Sequence, residues 1–173
     1  MKKYEVTIIL QSGMLIGSGN DGFELGGVDK STIVDSTGKP YIPGSSLKGK
    51  LRFLAGDDCE FVNKYFGKDT TSENTDKECK NSIEKIKNQL LFSDLKLKIE
   101  EKNHYNDYFE IKTENRIDAD FIANPRTNKR TIPNLTFEGI ICAFNDLPES
   151  DFNKLENLFE LLENYYIGGQ GSR

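Results

Sequence analysis

One acidic residue, Asp29, follows a run of glycines near the start of the chain, in the segment IGSGNDGFELGGVDK. Glycine is used where the backbone needs a positive φ or must approach another group closely, so this loop can turn its amides toward a ligand. A carboxylate on such a loop could position a hydroxyl group or hold a hydrated Mg²⁺ ion.

The alternative for Asp29 is a turn former that hydrogen-bonds its own backbone, which is the commoner use of an aspartate in a glycine loop. Three further acidic residues lie close in sequence and could assist Asp29: Asp21, Glu24 and Asp35. Their order of importance stays open.

The segment PGSSLKGKLR is typical of a helix start, with Ser45 or Ser46 as the predicted cap. The spacing places Leu47, Leu51 and Leu54 on one core face. Three basic residues follow the start: Lys48, Lys50 and Arg52. The free amides of a helix start favour an anion, and basic side chains there add salt-dependent attraction to phosphates. The alternative is an ordinary solvated face.

Two later segments also combine features that suit RNA. Residues 109–132 have no clean helical pattern and contain Asn124-Pro125, which predicts a hairpin-like excursion. Its apolar residues Phe121 and Ile122 precede three basic ones: Arg126, Lys129 and Arg130. An apolar tip with basic flanks can wedge between bases, or it can pack on its own sheet. The chain closes on Gly168, Gly169, Gly171 and Arg173, which could cradle an RNA backbone or end a helix.

The amino-acid composition excludes several kinds of functional site. The 173 residues include one histidine, His104, and three scattered cysteines, so a histidine-rich metal site, a disulfide framework and a CxxC zinc pair are excluded. The net charge of −5 counts against a free-standing nucleic-acid binder, although the basic residues are segregated into two clusters. The chain has no apolar run of the ~20 residues that a membrane span needs, and we expect a cytoplasmic protein without membrane contact.

The hydrophobic pattern predicts one α+β domain over residues 1–173. The predicted elements are a strand at 3–11, a loop at 12–40, a helix from 45 or 46 to 56, weak helices at 61–66 and 83–88 in a polar insertion, a strand at 90–100, the excursion at 109–132, a strand at 135–144, a helix at 151–166 and a glycine loop. This order is close to the βαββαβ plan of a ferredoxin-like (modified RRM) fold with long loop insertions and a thumb-like β-hairpin. The final strand is missing, so we expect a chain that is truncated at its C-terminus.

Four blocks in a fixed order carry a resemblance to a known family: IGSGNDGFELGGVDKSTIVD, PGSSLKGKLR, TENRIDADFIANPR and GGQGSR. From its first to its last residue the chain resembles the RAMP (repeat-associated mysterious protein) superfamily, and within it the Cas7-type (Csm3-like) backbone subunits of type III CRISPR effector complexes. One departure concerns Leu15 and Ile16, which stand where many members carry a histidine.

The resemblance implies a crRNA-binding subunit that self-associates in a filament with other type III CRISPR subunits of the Csm or Cmr type. It implies divalent-metal-dependent (Mg²⁺ or another ion) endonucleolytic cleavage of the complementary target RNA, with Asp29 as catalytic and metal-binding residue. The RNA contacts that it implies lie on the helix (Lys48, Lys50, Arg52), the thumb (Phe121, Ile122, Arg126, Lys129, Arg130) and the terminal loop (Gly168, Gly169, Gly171, Arg173). Two alternatives stay open: the same scaffold without cleavage, and an unrelated ferredoxin-like domain that binds a nucleotide or a protein edge.

Overall fold

The computed structural model describes residues 1–19, 28–56, 58–67, 89–98, 105–117 and 123–169. In these ranges three strands precede two α-helices, and five strands then precede the last α-helix. The strands are β1 (Lys2–Ile9), β2 (Lys30–Ser31), β3 (Tyr41–Ile42), β4 (Leu91–Phe92), β5 (Leu95–Leu97), β6 (Phe109–Ile117), β7 (Ala123–Thr131) and β8 (Thr136–Ala143). The helices are α1 (Gly44–Leu54), α2 (Cys59–Tyr65) and α3 (Glu149–Glu163), with a short 3-10 helix at Tyr105–Tyr108. None of the helices in these ranges is long and apolar enough to cross a membrane.

The strands form two sheets. The larger sheet has the order β1-β8-β5-β3, with β4 also pairing β8, and the smaller sheet has the order β2-β7-β6. In the larger sheet β8 pairs antiparallel with both β4 and β5. The smaller sheet combines a parallel pair, β2 with β7, and an antiparallel hairpin, β6 with β7. The fold therefore mixes helices and sheets, as the α+β prediction requires.

Two compact units can be distinguished. The helical unit comprises Met1–Val6, Pro43–Asp94 and Gly139–Tyr165, and the hairpin unit comprises Thr7–Ile42, Leu95–Glu138 and Tyr166–Arg173. The core of the helical unit includes Leu47, Leu51, Phe61, Tyr65, Phe66, Leu90, Ile141, Leu155, Leu158 and Leu162. The core of the hairpin unit includes Leu10, Met14, Leu15, Ile16, Ile42, Leu95, Leu97, Tyr108, Leu135 and Phe137.

Strand predictions hold where alternation is regular and fail where a turn interrupts them. The strand predicted at 3–11 is β1, in which the half-buried residues Tyr4, Val6 and Ile8 alternate with exposed ones. The single strand predicted at 90–100 is wrong, because β4 and β5 are separated at Ser93-Asp94. As a result Leu91 is 49% exposed while Leu95 is buried.

The N-terminus of α1 is capped by a residue that is distant in sequence. The predicted serine cap is wrong: Pro43 is the N-cap residue and contributes no side-chain hydrogen bond. The Gly44 amide instead donates to Asp94 Oδ1 at 2.8 Å, from a residue 50 positions later. Gly44 is required there, because a Cβ atom would run into the backbone oxygen of Phe92. Helix α1 is thus anchored on the turn between β4 and β5.

Replacing Asp94 tests this anchor. We expect Asp94→Ala to lower the free energy of unfolding by about 1 kcal/mol, the usual cost of losing a carboxylate cap. Asp146→Ala is the matched control, because Asp146 makes only a surface ion pair with Lys2 at 3.7 Å and should change stability by less than ~0.5 kcal/mol. Urea unfolding of both variants measures the change in the free energy of unfolding. Equal losses in the two variants would show that the Gly44–Asp94 hydrogen bond does not stabilise the protein.

The other helices begin slightly earlier than predicted. Helix α2, predicted at 61–66, starts at Cys59, where the Asp58 carboxylate accepts from the Phe61 amide at 3.2 Å. Helix α3, predicted at 151–166, starts at Glu149 and buries Leu155, Leu158 and Leu162. Its Asp151 Oδ2 accepts from Lys64 Nζ at 2.7 Å and from Tyr65 Oη at 2.6 Å. The helix predicted at 83–88 lies outside the described residues.

Candidate functional site

The predicted excursion is a β-hairpin. Strands β6 and β7 pair antiparallel over nine residues each, from Phe109 opposite Thr131 to Ile117 opposite Ala123. Pro125 lies within β7 opposite Asn115, so the Asn-Pro step does not break the strand. The apolar residues Phe121 and Ile122, assigned to the hairpin tip, lie outside the described residues. Ile111 is 68% exposed on this hairpin and was not singled out by the sequence.

Asp29 is attached to this hairpin. Strand β2 runs parallel to β7, with Lys30 opposite Asn128. Directly before it, the Asp29 amide donates to the Thr127 carbonyl at 2.8 Å, and Asp29 Oδ2 accepts from the Thr127 amide at 2.6 Å. The Asp29 side chain is exposed. Its carboxylate therefore accepts a hydrogen bond from a backbone amide 98 positions away in sequence.

The exposed carboxylate keeps capacity for further ligands. A carboxylate has about four lone-pair sites, and one amide hydrogen bond uses one of them. Within the described ranges no group of three or more His, Cys, Asp or Glu side chains is arranged to hold a metal ion. A single carboxylate oxygen is a type of ligand that hydrated hard cations use in proteins.

Asp35 behaves differently from Asp29. Its Oδ1 accepts from the Thr37 amide, the Thr37 hydroxyl and the Lys39 amide at 2.7–3.0 Å, within one turn. The hydrogen bond from the Thr37 side chain, with help from the two amides, lowers the pKa of Asp35. Asp35 is therefore a turn former, which stabilises its own turn through Oδ1. Asp21 and Glu24 lie outside the described residues.

The three basic residues of β7 differ in their surroundings. Arg126 is exposed, and Lys129 Nζ lies 4.7 Å from the centre of the Phe109 ring. Arg130 Nε donates to Glu110 Oε1 at 2.6 Å, and its side chain is only 15% exposed. Arg126 is thus the residue of the three that is best placed for an external phosphate, whereas Arg130 has a carboxylate partner within the hairpin.

The basic residues of α1 belong to the helical unit. Lys48 is half-buried, and among the described residues it has no carboxylate partner. Burial, and then repulsion by Arg52, lower the pKa of Lys48. Lys50 Nζ lies 4.5 Å from the centre of the Tyr165 ring and 5.2 Å from that of Phe53. The proximity of Lys48 and Arg52 agrees with the predicted shared face, and their mutual repulsion would be relieved by an anion.

The terminal glycine loop is held against the segment that leads to the first glycine loop. The Gly169 amide donates to the Leu15 carbonyl at 2.9 Å. Gly168 has a φ of +105°, and a Cβ atom there would run into the same Leu15 oxygen. Leu15 and Ile16, where the resemblance leads us to expect a histidine, are 3% and 7% exposed and belong to the core. Gly171 and Arg173 lie outside the described residues.

Two neighbouring glycines allow a direct test of this contact. We expect Gly168→Ala to lower the free energy of unfolding by more than about 1 kcal/mol, because both its φ and its contact with Leu15 exclude a side chain. Gly169→Ala is the control, since no described atom lies within 4 Å of its Cβ position. Chemical denaturation measures both variants, and a Gly168→Ala variant as stable as Gly169→Ala would contradict the contact.

Comparison with known proteins connects this geometry to a family. The family model described as the RAMP superfamily matches residues 7–173. A curated relative from Streptococcus thermophilus, named CRISPR system Cms endoribonuclease Csm3, is 34% identical over 194 residues, which cover 99% of this chain and 83% of the relative.

Solved structures show the same fold. A chain of a type III-B Cmr-beta complex bound to cognate target RNA is similar with a TM-score of 0.68 at 18% identity, covering 98% of this chain and 55% of that one. A chain of the Csm3-Csm4 subcomplex of the type III-A CRISPR-Cas interference complex is similar with a TM-score of 0.53 at 26% identity, covering 99% of this chain and 70% of that one. These matches exclude the alternative of an unrelated ferredoxin-like domain. The chain belongs to the RAMP superfamily and, within it, to the Csm3 family.

Proposed function

We propose that this chain is a crRNA-binding backbone subunit of a type III CRISPR interference complex and cleaves the complementary target RNA within the assembled complex. The observation that carries the proposal is the exposed carboxylate of Asp29, held on the β6–β7 hairpin by the Thr127 amide. The 34% identity to a protein named as an endoribonuclease, over nearly the whole chain, supports the reaction. We also propose that the fold is ferredoxin-like, which is supported by the strand order β1-β8-β5, with α1 between β1 and β5 in sequence and α3 after β8.

The basic side chains would bind the guide RNA. Helix α1 contains three basic residues and no acidic one, although the chain as a whole carries a net charge of −5. Lys48 and Arg52, whose positive charges repel each other, would both be stabilised by a phosphate that contacts them. Arg126, Lys129 and the Gly168-Gly169 loop would supply further backbone contacts. Copies of the subunit along one guide would repeat these contacts, which fits a filament with other Csm-type subunits in the cytoplasm.

The reaction that Asp29 serves is an in-line transesterification. The 2′-oxygen of the target ribose loses its proton and forms a bond to the adjacent phosphorus, while the bond from phosphorus to the 5′-oxygen breaks and that oxygen takes up a proton. The products are a 2′,3′-cyclic phosphate and a 5′-hydroxyl. Asp29 can accept or orient the 2′-hydroxyl proton, since the Thr127 amide holds its Oδ2 in place and leaves its other lone pairs available.

A divalent cation, when bound, would neutralise the charge that develops on the phosphate. Asp29 would hold it through its carboxylate, with phosphate oxygens and water completing the coordination. Mg²⁺ fits this donor set of hard oxygen atoms, and Mn²⁺ would serve as well.

The function is tested with the assembled complex, its guide RNA and a labelled complementary target. We expect regularly spaced cleavage products with Mg²⁺ and none after chelation. A complex that binds the target tightly and leaves it intact with either Mg²⁺ or Mn²⁺ would support the second candidate, a scaffold without cleavage. The tethered position of Asp29 on the hairpin favours the cleaving form, because a scaffold alone needs no exposed carboxylate there.

A further inference from the structure

Thr127 occupies an unusual position between two strands. Both its amide and its carbonyl are directed at Asp29, at 2.6 Å from Oδ2 and 2.8 Å from the Asp29 nitrogen. The amide and carbonyl of one strand residue point to the same side, so neither can bond β6. Thr127 and its cross-strand neighbour Thr113 therefore form a non-hydrogen-bonded pair, consistent with their hydroxyl oxygens 3.4 Å apart.

We propose that the Thr127 amide is a positioning group that sets where the target RNA is cut. This inference rests on the proposed cleavage function and explains why the cut would fall at one fixed phosphate. The hairpin would occupy a fixed place among the bases, and the reciprocal Asp29–Thr127 bonds tie the carboxylate to that hairpin. The scissile phosphate is then the one that lies at a constant distance from the hairpin.

The position of Asp29 on the hairpin is fixed by the backbone pairing of β2 with β7. Strand β2 contributes two residues in register with β7, Lys30 opposite Asn128 and Ser31 opposite Lys129. Thr32 extends this register, since its amide donates to the Lys129 carbonyl at 2.9 Å. Among the described residues, the Thr127 amide is the group that orients the Asp29 carboxylate. Losing that amide leaves the backbone pairing beside it intact while freeing the carboxylate to rotate.

The cleanest test replaces the amide of residue 127 with an ester by incorporating the α-hydroxy analogue of threonine. The ester removes the donor and keeps the side chain. Thr127→Pro removes the same donor by ordinary mutagenesis, and β7 already accommodates Pro125. Thr113→Pro is the matched control: it breaks the same hydroxyl contact, and its amide points away from β7 because the pair is non-hydrogen-bonded.

We expect the ester and Thr127→Pro complexes to bind guide and target as the wild type does. Their single-turnover cleavage rate should fall by about 10- to 100-fold, since misplacing a catalytic group by ~1 Å costs about that much. Their product ends should spread over neighbouring phosphates, which a merely destabilised hairpin would not cause. Thr113→Pro should keep the wild-type rate and cut positions.

Two results would overturn the inference alone: an ester variant that cuts at the wild-type rate and positions, or a Thr113→Pro variant that loses as much as Thr127→Pro. If Thr127→Pro fails to fold, as judged by its melting curve, the ester variant decides. A wild-type complex that binds target without cutting it overturns the proposed function, and this inference with it.

Discussion

Replacing Asp29 with alanine should abolish target cleavage and leave RNA binding intact. The Asp29 side chain is exposed, so its replacement should remove its chemical role and change the stability of the protein little. We expect the single-turnover rate to fall by a factor of about 10²–10⁴, the range for removing one general base or charge-stabilising group. The measurement is product formation by the assembled complex with saturating guide and target RNA and Mg²⁺.

Two further variants separate charge from geometry. In Asp29→Asn the side-chain oxygen can still accept from the Thr127 amide, but it carries no charge and binds a cation weakly. A rate as low as that of Asp29→Ala would assign the effect to the charge, whereas a near-wild-type rate would show that only the anchor matters. Asp35→Ala is the control carboxylate, because Asp35 serves its own turn. If Asp29→Ala cuts as fast as Asp35→Ala, Asp29 has no catalytic role.

Local patterns predicted the hairpin and the helices well. Alternation identified β1, and the leucine spacing identified the core face of α1, where Leu47 and Leu51 are fully buried. These elements depend on residues that are neighbours in sequence, so their periodicity is visible without the fold. The same holds for the lysine and arginine pair of α1, whose closeness follows from a separation of one helical turn.

Contacts between distant parts of the chain were not predictable in this way. The cap of α1 comes from Asp94, 50 positions away, and the partner of Asp29 is an amide 98 positions away. Strand β2 is only two residues long, too short for its sequence to show which strand it pairs with. An amide donor is also common to every residue except proline, so Thr127 carries no signal in its side chain. The parallel pairing of β2 with β7 is what gives this amide its role.

Guide binding should depend most on Lys48 and Arg52. We expect Lys48→Ala and Arg52→Ala each to weaken guide RNA binding by about 10- to 100-fold, the value of a charge-assisted hydrogen bond to phosphate. Each loss should reduce the slope of log affinity against log salt concentration by about 0.7 per phosphate contact on a single strand. Lys154→Ala is the control, since Lys154 is paired with Asp58 at 2.7 Å in the same unit.

The pH dependence of guide binding provides an independent test of the role of Lys48. Burial and Arg52 lower the pKa of this lysine from its ordinary value of 10.5, so its charge is complete at low pH and is lost as the pH rises through the lowered pKa. Guide affinity should therefore decline with rising pH earlier than an ordinary lysine would cause, and Lys48→Arg should remove this decline because a guanidinium stays charged. A salt slope that is unchanged in both alanine variants would show that these side chains meet no phosphate. Equal pH profiles for wild type and Lys48→Arg would assign the decline to another group.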